Sequence, residues 1–268
     1  MKRFLVLSDL HFGLPARRTP GAAMLRPLWD GVDHVLLNGD TAELHAPTMV
    51  EDATRELEML VDACERDGVG LSCTAGNHDP FLSSLLSCDL ADGRVLVIHG
   101  HTIHRKEPRP LVPGQVLEHG DTTSLGGRHR MDASALQDGL ARSRRYTPPD
   151  EDLKAPQTFL ESIPWVMRKP LLVPKILHYW KRFPGHADAF AEHVLPGARV
   201  VLVGHSHRQG IWRFPDRLVV NTGSWTWPGR PWGILVEGTK IRVHDILVNG
   251  EQLRLSSTPR LEHDVAQD

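Results

Sequence analysis

Five short motifs in this chain set metal-ligating residue types side by side. They are Asp9-Leu10-His11, Gly39-Asp40, Gly76-Asn77-His78-Asp79, His99-Gly100-His101 and Gly204-His205-Ser206-His207. Carboxylate, imidazole and amide oxygen together suit borderline first-row divalent ions, with Mn expected first and Fe, Zn, Co or Ni also compatible. No thiolate stands in any of the motifs, which excludes a structural zinc finger. In an extended chain residues two apart project to the same side, so Asp9 with His11, and His205 with His207, are expected to reach a common cavity. Several such ligands arriving from separate segments suggest two ions about 3.5–4 Å apart that share a carboxylate.

The elements that must carry these residues are short apolar runs. Phe4–Leu7, Val35–Leu37, Val69–Cys73, Val95–Ile98 and Val200–Val203 each read as a buried strand, and each is followed at once by one of the motifs. In α/β proteins ligands bind beyond the carboxyl ends of strands. Val219-Val220 leads in the same way into Asn221-Thr222-Gly223-Ser224, and Gly233–Val236 with Lys240–Val243 reads as a hairpin about Glu237-Gly238-Thr239. Met49–Arg66 carries apolar residues at Ala53, Leu57, Leu60, Val61 and Cys64, which is helical spacing. Gly21–Trp29 is expected to be helical, with Pro20 and Pro27 blurring its limits. Residues 104–190, rich in Pro, Arg and Gly, break the rhythm and are expected to be an inserted, helical or irregular lid within a single domain spanning 1–255. Residues 256–268 are expected to be a polar, frayed tail.

Composition sets outer limits. With 268 residues, 40% hydrophobic and 24% charged, the chain can bury a core without staples. A formal net charge of −2 gives no general case for nucleic-acid binding, which favours a basic bias. Three cysteines, none in a C-x-x-C pair, point to buried free thiols and a reducing compartment. Asp9 and His11 interrupt the first apolar run too early for a signal peptide, and no run reaches the ~20 residues of a membrane span. A cytoplasmic location is expected, with at most peripheral membrane contact.

The five motifs, in this order, resemble the calcineurin-like metallophosphoesterases, whose pattern is D-x-H, G-D, G-N-H-[DE], a lone His and G-H-x-H. The resemblance covers about residues 1–101 and 196–250. It implies a four-layer α/β/β/α sandwich of two mixed sheets. It implies one ion held by Asp9, His11, Asp40 and His207 and a second held by Asp40, Asn77, His99 and His205, with Asp40 bridging. His78 would then face the scissile phosphate and protonate the leaving oxygen, with Asp79 orienting it. Metal-activated hydroxide would hydrolyse a phosphate ester or pyrophosphate bond.

Behind these ligands, Glu43 and His45 are candidates to hydrogen-bond them. His101 is read as packed or solvated, and Asn221–Ser224 as a turn that supports the site. Trp225, Trp227 and Trp232 are read as core.

The layout also resembles the UDP-2,3-diacylglucosamine hydrolases, which carry a helical lid between the lone-His and G-H-x-H motifs. This chain differs from them in having His78 after Gly76-Asn77, and His101 after His99-Gly100. A generic phosphomonoesterase or phosphodiesterase is the alternative, ahead of a nuclease or a non-catalytic scaffold of the same fold. The expected partner is a phosphorylated small molecule or lipid. Residues 159–183 interleave Arg168, Lys169, Lys175, Lys181 and Arg182 with apolar and aromatic side chains, which suits peripheral contact with an anionic membrane. Pro164, Pro170 and Pro174 are expected to break that stretch into short helical pieces.

Overall fold

A computed structural model describes residues 2–14, 21–103, 123–125, 129–145, 172–226, 229–249 and 252–267. The first sheet runs β12-β11-β10-β1-β2-β3, with β13 pairing β11 beside this path. Its strands are β1 (Arg3–Leu7), β2 (His34–Asn38), β3 (Gly70–Thr74), β10 (Trp232–Glu237), β11 (Lys240–Asn249), β12 (Gln252–Leu255) and β13 (Leu261–Asp264). The second sheet runs β6-β4-β5-β7-β9-β8. Its strands are β4 (Ser87–Leu90), β5 (Val95–Ile98), β6 (Thr123–Ser124), β7 (Val200–Val203), β8 (Gly210–Arg213) and β9 (Leu218–Asn221). Both sheets are mixed: β1, β2 and β3 are parallel, as are β5, β7 and β9, while β10 and β8 run against their neighbours.

Alternation along the strands shows why two sheets stack. Leu5 and Leu7 of β1, and Val35 and Leu37 of β2, face a core that also holds Leu57, Leu60 and Val61. Val6 and Leu36 face the opposite way, into an inter-sheet core with Val95, Val97, Val200 and Leu202. The intervening Leu96, Ile98, Val201 and Val203 turn to a third core with Phe183, Ala187 and Phe190. A strand buried on both faces must be apolar throughout, and these runs are. The layers are therefore helix, sheet, sheet, helix. Three helices, α1 (Ala22–Leu25), α2 (Val50–Arg66) and α3 (Ala133–Ser143), supply the first layer, and α4 (Leu172–Val194) supplies the last.

Two expectations are corrected. The tail is not frayed where it is described: β13 pairs β11 from Lys240↔Asp264 to Val243↔Leu261, and Val265 is buried. The described parts of 104–190 pack on the core of the domain. There β6 pairs β4, Leu136 and Leu140 of α3 join the first core, and Phe183 and Ala187 of α4 join the third. The basic-aromatic stretch is not broken at Pro174, because α4 is continuous over 23 residues and holds Pro184 inside it. Pro174 sits in the first helical turn, where an N–H has no intrahelical partner to lose, and Pro184 is itself buried beside Phe183, which packs in the third core. The 21–29 segment is α1 followed by a 3-10 turn over Arg26–Trp29, which accommodates Pro27 near its start. Residues 159–171, with Pro164 and Pro170, lie outside the described residues, as does Trp227.

Candidate metal centre

The motifs follow the carboxyl ends of parallel strands: β1, β2 and β3 in one sheet, β5 and β7 in the other. The backbone there departs from extended geometry. Asp9 (φ 53°), His11 (φ 52°), Asp40 (φ 48°), His205 (φ 60°) and His207 (φ 55°) all adopt the left-handed conformation. Non-glycine residues rarely do so, and such strain gathers at functional sites. The expectation that Asp9 and His11 share a side through extended geometry is thus replaced: two successive left-handed turns aim them. The loops lock together through Asp9 N to Gly39 O (3.2 Å) and His11 N to Asp40 O (3.0 Å). Across the sheets, His205 N donates to Asp9 Oδ1 (3.1 Å), and Asn38 Nδ2 donates to Ile98 O (3.1 Å). No side chain fits at Gly76 or Gly204, where a Cβ would strike Asp40 and Asp9 respectively.

Three ligand-atom groups result among the described residues, of which His11, Glu43 and His78 form one without Asp40. Asp9, His11, Asp40 and His207 bring one atom each within 4.8 Å of one another, and so do Asp40, His99 and His205. Asp40 belongs to both of these. Asn77 Oδ1 lies 2.9 Å from His205 Nδ1, which puts the amide beside the second group.

The tautomers identify what the groups can hold. His99 Nδ1 donates to Asn38 O (2.8 Å), so in the neutral ring Nε2 carries the lone pair, and it faces Asp40 Oδ2 at 3.1 Å. His11 Nδ1 donates to Glu43 Oε1 (2.7 Å), so its Nε2 also carries a lone pair, 3.2 Å from His207 Nε2. Electron pairs and carboxylates facing one another at these distances call for positive charge between them, and divalent cations fit this donor set. The same carboxylates set the proton affinities of the rings. Burial favours neutral His99, yet Asp40 opposite pushes the imidazole up to about 9. Burial would raise the Asp40 carboxyl, but His99, His78 and His11 hold it well below the usual range. Burial would likewise raise Asp9, while His207 and His99 lower it. Burial and the adjacent His99 depress His205, keeping it neutral and fit to ligate.

His78 stands at the edge of the cluster, its ring 4.9 Å from that of His11 and set edge-on. Its backbone N donates to Asp40 Oδ1 (2.9 Å). Its orientation corrects an expectation: Glu43, not Asp79, holds the ring, with His78 Nδ1 donating to Glu43 Oε2 at 2.8 Å. Asp79 is instead fully buried and accepts from the backbone amides of Thr41 (2.6 Å), Gly76 (2.9 Å), Asp40 (3.1 Å) and Ala42 (3.3 Å). It ties the two glycine turns that present Asp40 and Asn77. Burial favours neutral Glu43, but His78 and His11 hold its carboxyl down to about 2. Burial also opposes charge on His78, and Asp40 and Glu43 overcome it, pushing the ring up to about 10.

The remaining motif residues take supporting places. His101 is buried, its ring 5.4 Å from His99 and 6.5 Å from His205. Asn221 Nδ2 donates to Gly204 O (2.7 Å), and its Oδ1 accepts from Gly223 N (2.9 Å), so the turn braces the last motif by hydrogen bonds. Thr226 Oγ1 lies 3.2 Å from His207 Nδ1 and 2.7 Å from Ser224 Oγ. No sequence signal marks Thr226. Glu43, the acidic residue three positions beyond Asp40, takes the place expected of it, hydrogen-bonded to His11 and His78. Trp225 and Trp232 are buried, as core residues.

Three structures illustrate the likeness to solved proteins. Vacuolar protein sorting 29 from Cryptosporidium parvum is 11% identical, with 98% of each chain covered and a TM-score of 0.42. A predicted phosphoesterase from Streptococcus pneumoniae is 13% identical, covering 98% of this chain and 97% of that one, at 0.38. Yfce, a phosphoesterase from E. coli, is 11% identical, covering 98% and 100%, at 0.44. No curated protein matches the sequence. The family model described as calcineurin-like phosphoesterase matches residues 2–209, and the chain belongs to that family.

Proposed function

We propose that this metal-dependent phosphoester hydrolase works with two divalent ions. Asp9, His11, Asp40 and His207 would hold one, and Asp40, Asn77, His99 and His205 the other. The observation that carries this reading is Asp40, whose carboxylate belongs to two ligand groups while imidazole nitrogens of each face inward. Ions so bound lower the pKa of a coordinated water from about 16 to about 7 and offset charge on phosphoryl oxygens. The protein's own part is to aim and to donate. Glu43 fixes the tautomer of His11 through Oε1 and that of His78 through Oε2. His78, charged in this field, gives its Nε2 proton to the departing oxygen, which is general acid catalysis. Asp79 keeps the Gly39-Asp40 and Gly76-Asn77 turns in place through four amide hydrogen bonds.

The purified chain should be stripped with chelator, reloaded with Mn²⁺, and assayed on nitrophenyl phosphate, bis-nitrophenyl phosphate, nucleotides and a nucleotide-sugar lipid. Hydrolysis is expected to vanish with chelator and return with metal. Equal activity after full metal removal would sink the reading.

A lipid-linked substrate, including a pyrophosphate of the UDP-2,3-diacylglucosamine kind, is the finer reading. The exposed first half of α4 supports it: Leu177 is 54% exposed, and exposed Lys175, Lys181 and Arg182 flank it. Leu177 and Lys181, four residues apart on one helix face, suit an anionic lipid interface, at about 1 kcal/mol per cation. No helix among the described residues is long and apolar enough to cross a membrane, so such contact would be peripheral. The protein is expected to sediment with anionic liposomes at low salt, to be released at high salt, and to prefer an acylated substrate to its deacylated analogue. Indifference on both counts leaves a soluble phosphomonoester or phosphodiester as the substrate.

A further inference from the structure

Helix α4 reaches the metal centre from outside the motifs. Its carboxyl-terminal half is fixed to the second sheet by Phe183, Ala187, Phe190 and Val194. Buried Arg217, just before β9, adds a polar clamp, donating to Asp188 Oδ1 (3.0 Å) and to Glu192. One turn above Phe183 lies Tyr179. Its ring is 5.4 Å from Phe183 and 6.3 Å from His205, edge-on to the imidazole at 88°, while Phe183 is itself 6.2 Å from His205. Tyr179 therefore stands against a member of the Asp40–His99–His205 group on a rigid arm.

The phenolic oxygen of Tyr179 is closed to solvent and has no hydrogen-bond partner among the described residues. Folded proteins seldom leave a buried hydroxyl unmatched, because the group loses water and gains nothing. Phenylalanine would make the same ring contacts without that loss. The hydroxyl gains a purpose if its acceptor arrives with a ligand. A phosphoryl oxygen accepts and cannot donate, and a neutral phenol donates without adding charge that would compete with cations nearby.

Resting on the metal-dependent hydrolase reading above, we propose that Tyr179 Oη donates a hydrogen bond to a phosphoryl oxygen of the substrate bound at the Asp40–His99–His205 group. Tyr179 binds and orients the phosphate there, and the proton for the leaving oxygen still comes from His78.

The test is Tyr179→Phe in the full chain. Inorganic phosphate binding to the Mn²⁺-loaded protein, measured by titration calorimetry, is expected to weaken about tenfold, the effect of losing one hydrogen bond to a charged group. KM for nitrophenyl phosphate should rise by a similar factor, with kcat changed less. Metal content should stay the same. The melting temperature of the metal-free variant should be unchanged or higher, since no bond within the free protein is lost. Phosphate affinity and KM indistinguishable from wild type would overturn the assignment, as would a lower melting temperature with affinity intact, which would make the hydroxyl part of the fold. If the metal-loaded wild type neither binds phosphate nor hydrolyses an ester, the hydrolase reading falls and this inference with it. If the wild type does both and the variant matches it, only the role of Tyr179 falls.

Discussion

Glu43 lies between His11 and His78, and one carboxylate holds both rings: Oε1 is 2.7 Å from His11 Nδ1 and Oε2 is 2.8 Å from His78 Nδ1. It therefore sets the tautomer of a candidate ligand and of the candidate acid together. Outer carboxylates of this kind are typically worth about 10–100-fold in metal affinity or activity. Glu43→Gln is expected to lose turnover by about that factor, to bind metal more weakly, and to lose more on alkyl phosphates than on nitrophenyl phosphate. Full activity with unchanged metal content would show that the Glu43 contacts are structural only.

His78→Ala separates the acid from the ligands. Turnover on poor leaving groups should fall by about 10²–10⁴, because an alkoxide needs its proton as it departs. Nitrophenolate leaves without one, so its loss should be smaller. His78 belongs to neither of the groups that share Asp40, so metal per chain should hold steady by elemental analysis. Metal loss in this variant would make His78 a ligand.

Asp40 and Asp9 should differ in how much metal they govern. Asp40 is common to both groups, whereas Asp9 belongs to the one with His11 and His207. In Asp40→Ala, bound metal should fall toward none and turnover by more than about 100-fold. In Asp9→Ala, metal should fall toward one equivalent, because Asp40, Asn77, His99 and His205 remain. Equal stoichiometry in the two variants would show that Asp40 is not shared.

The candidate residues stood out because carboxylate and imidazole pairs follow apolar strands in the chain, and the fold brings Asp9, His11, Asp40 and His207, and Asp40, His99 and His205, together; their division between two ions came from the family resemblance. What positions the ligands was less legible. Asp79 looks in sequence like a partner for the adjacent His78, yet the loop turns its carboxylate back onto four backbone amides. The left-handed backbone at Asp9 and His11 leaves only a faint mark in residue type, since Asp and His enter that region more often than most residues but are not glycine. Strand β13 pairs residues more than twenty positions apart, Lys240 with Asp264, so its mixed polar composition reads locally as tail. Helix α4 survives Pro184 because its apolar face packs on a sheet, and tertiary packing overrides local propensity. Tyr179 sits within an amphipathic stretch that gives no hint of His205 beside it.

Away from the candidate metal centre, acid stability is expected to depend on His34. His34 begins β2, six residues before Asp40, or about 20 Å along an extended strand. Its ring is buried, and its Nε2 lies 2.9 Å from Ser72 Oγ, which in turn donates to His129 O (2.7 Å). Burial first, then Lys2 and Arg130, pulls its pKa down to about 4. In the unfolded chain the value is about 6.5. Between these limits the unfolded state binds a proton that the folded state refuses, so stability rises with pH across the window. The contribution of neutral His34 is fully present above about 6.5 and is lost as pH falls toward about 4. His34→Gln keeps a polar side chain at the site and cannot titrate. With metal-free protein, the urea midpoint of the wild type should drop more between pH 7 and pH 5 than that of the variant. Parallel drops in both would show that His34 accepts its proton in the folded state as readily as in the unfolded one.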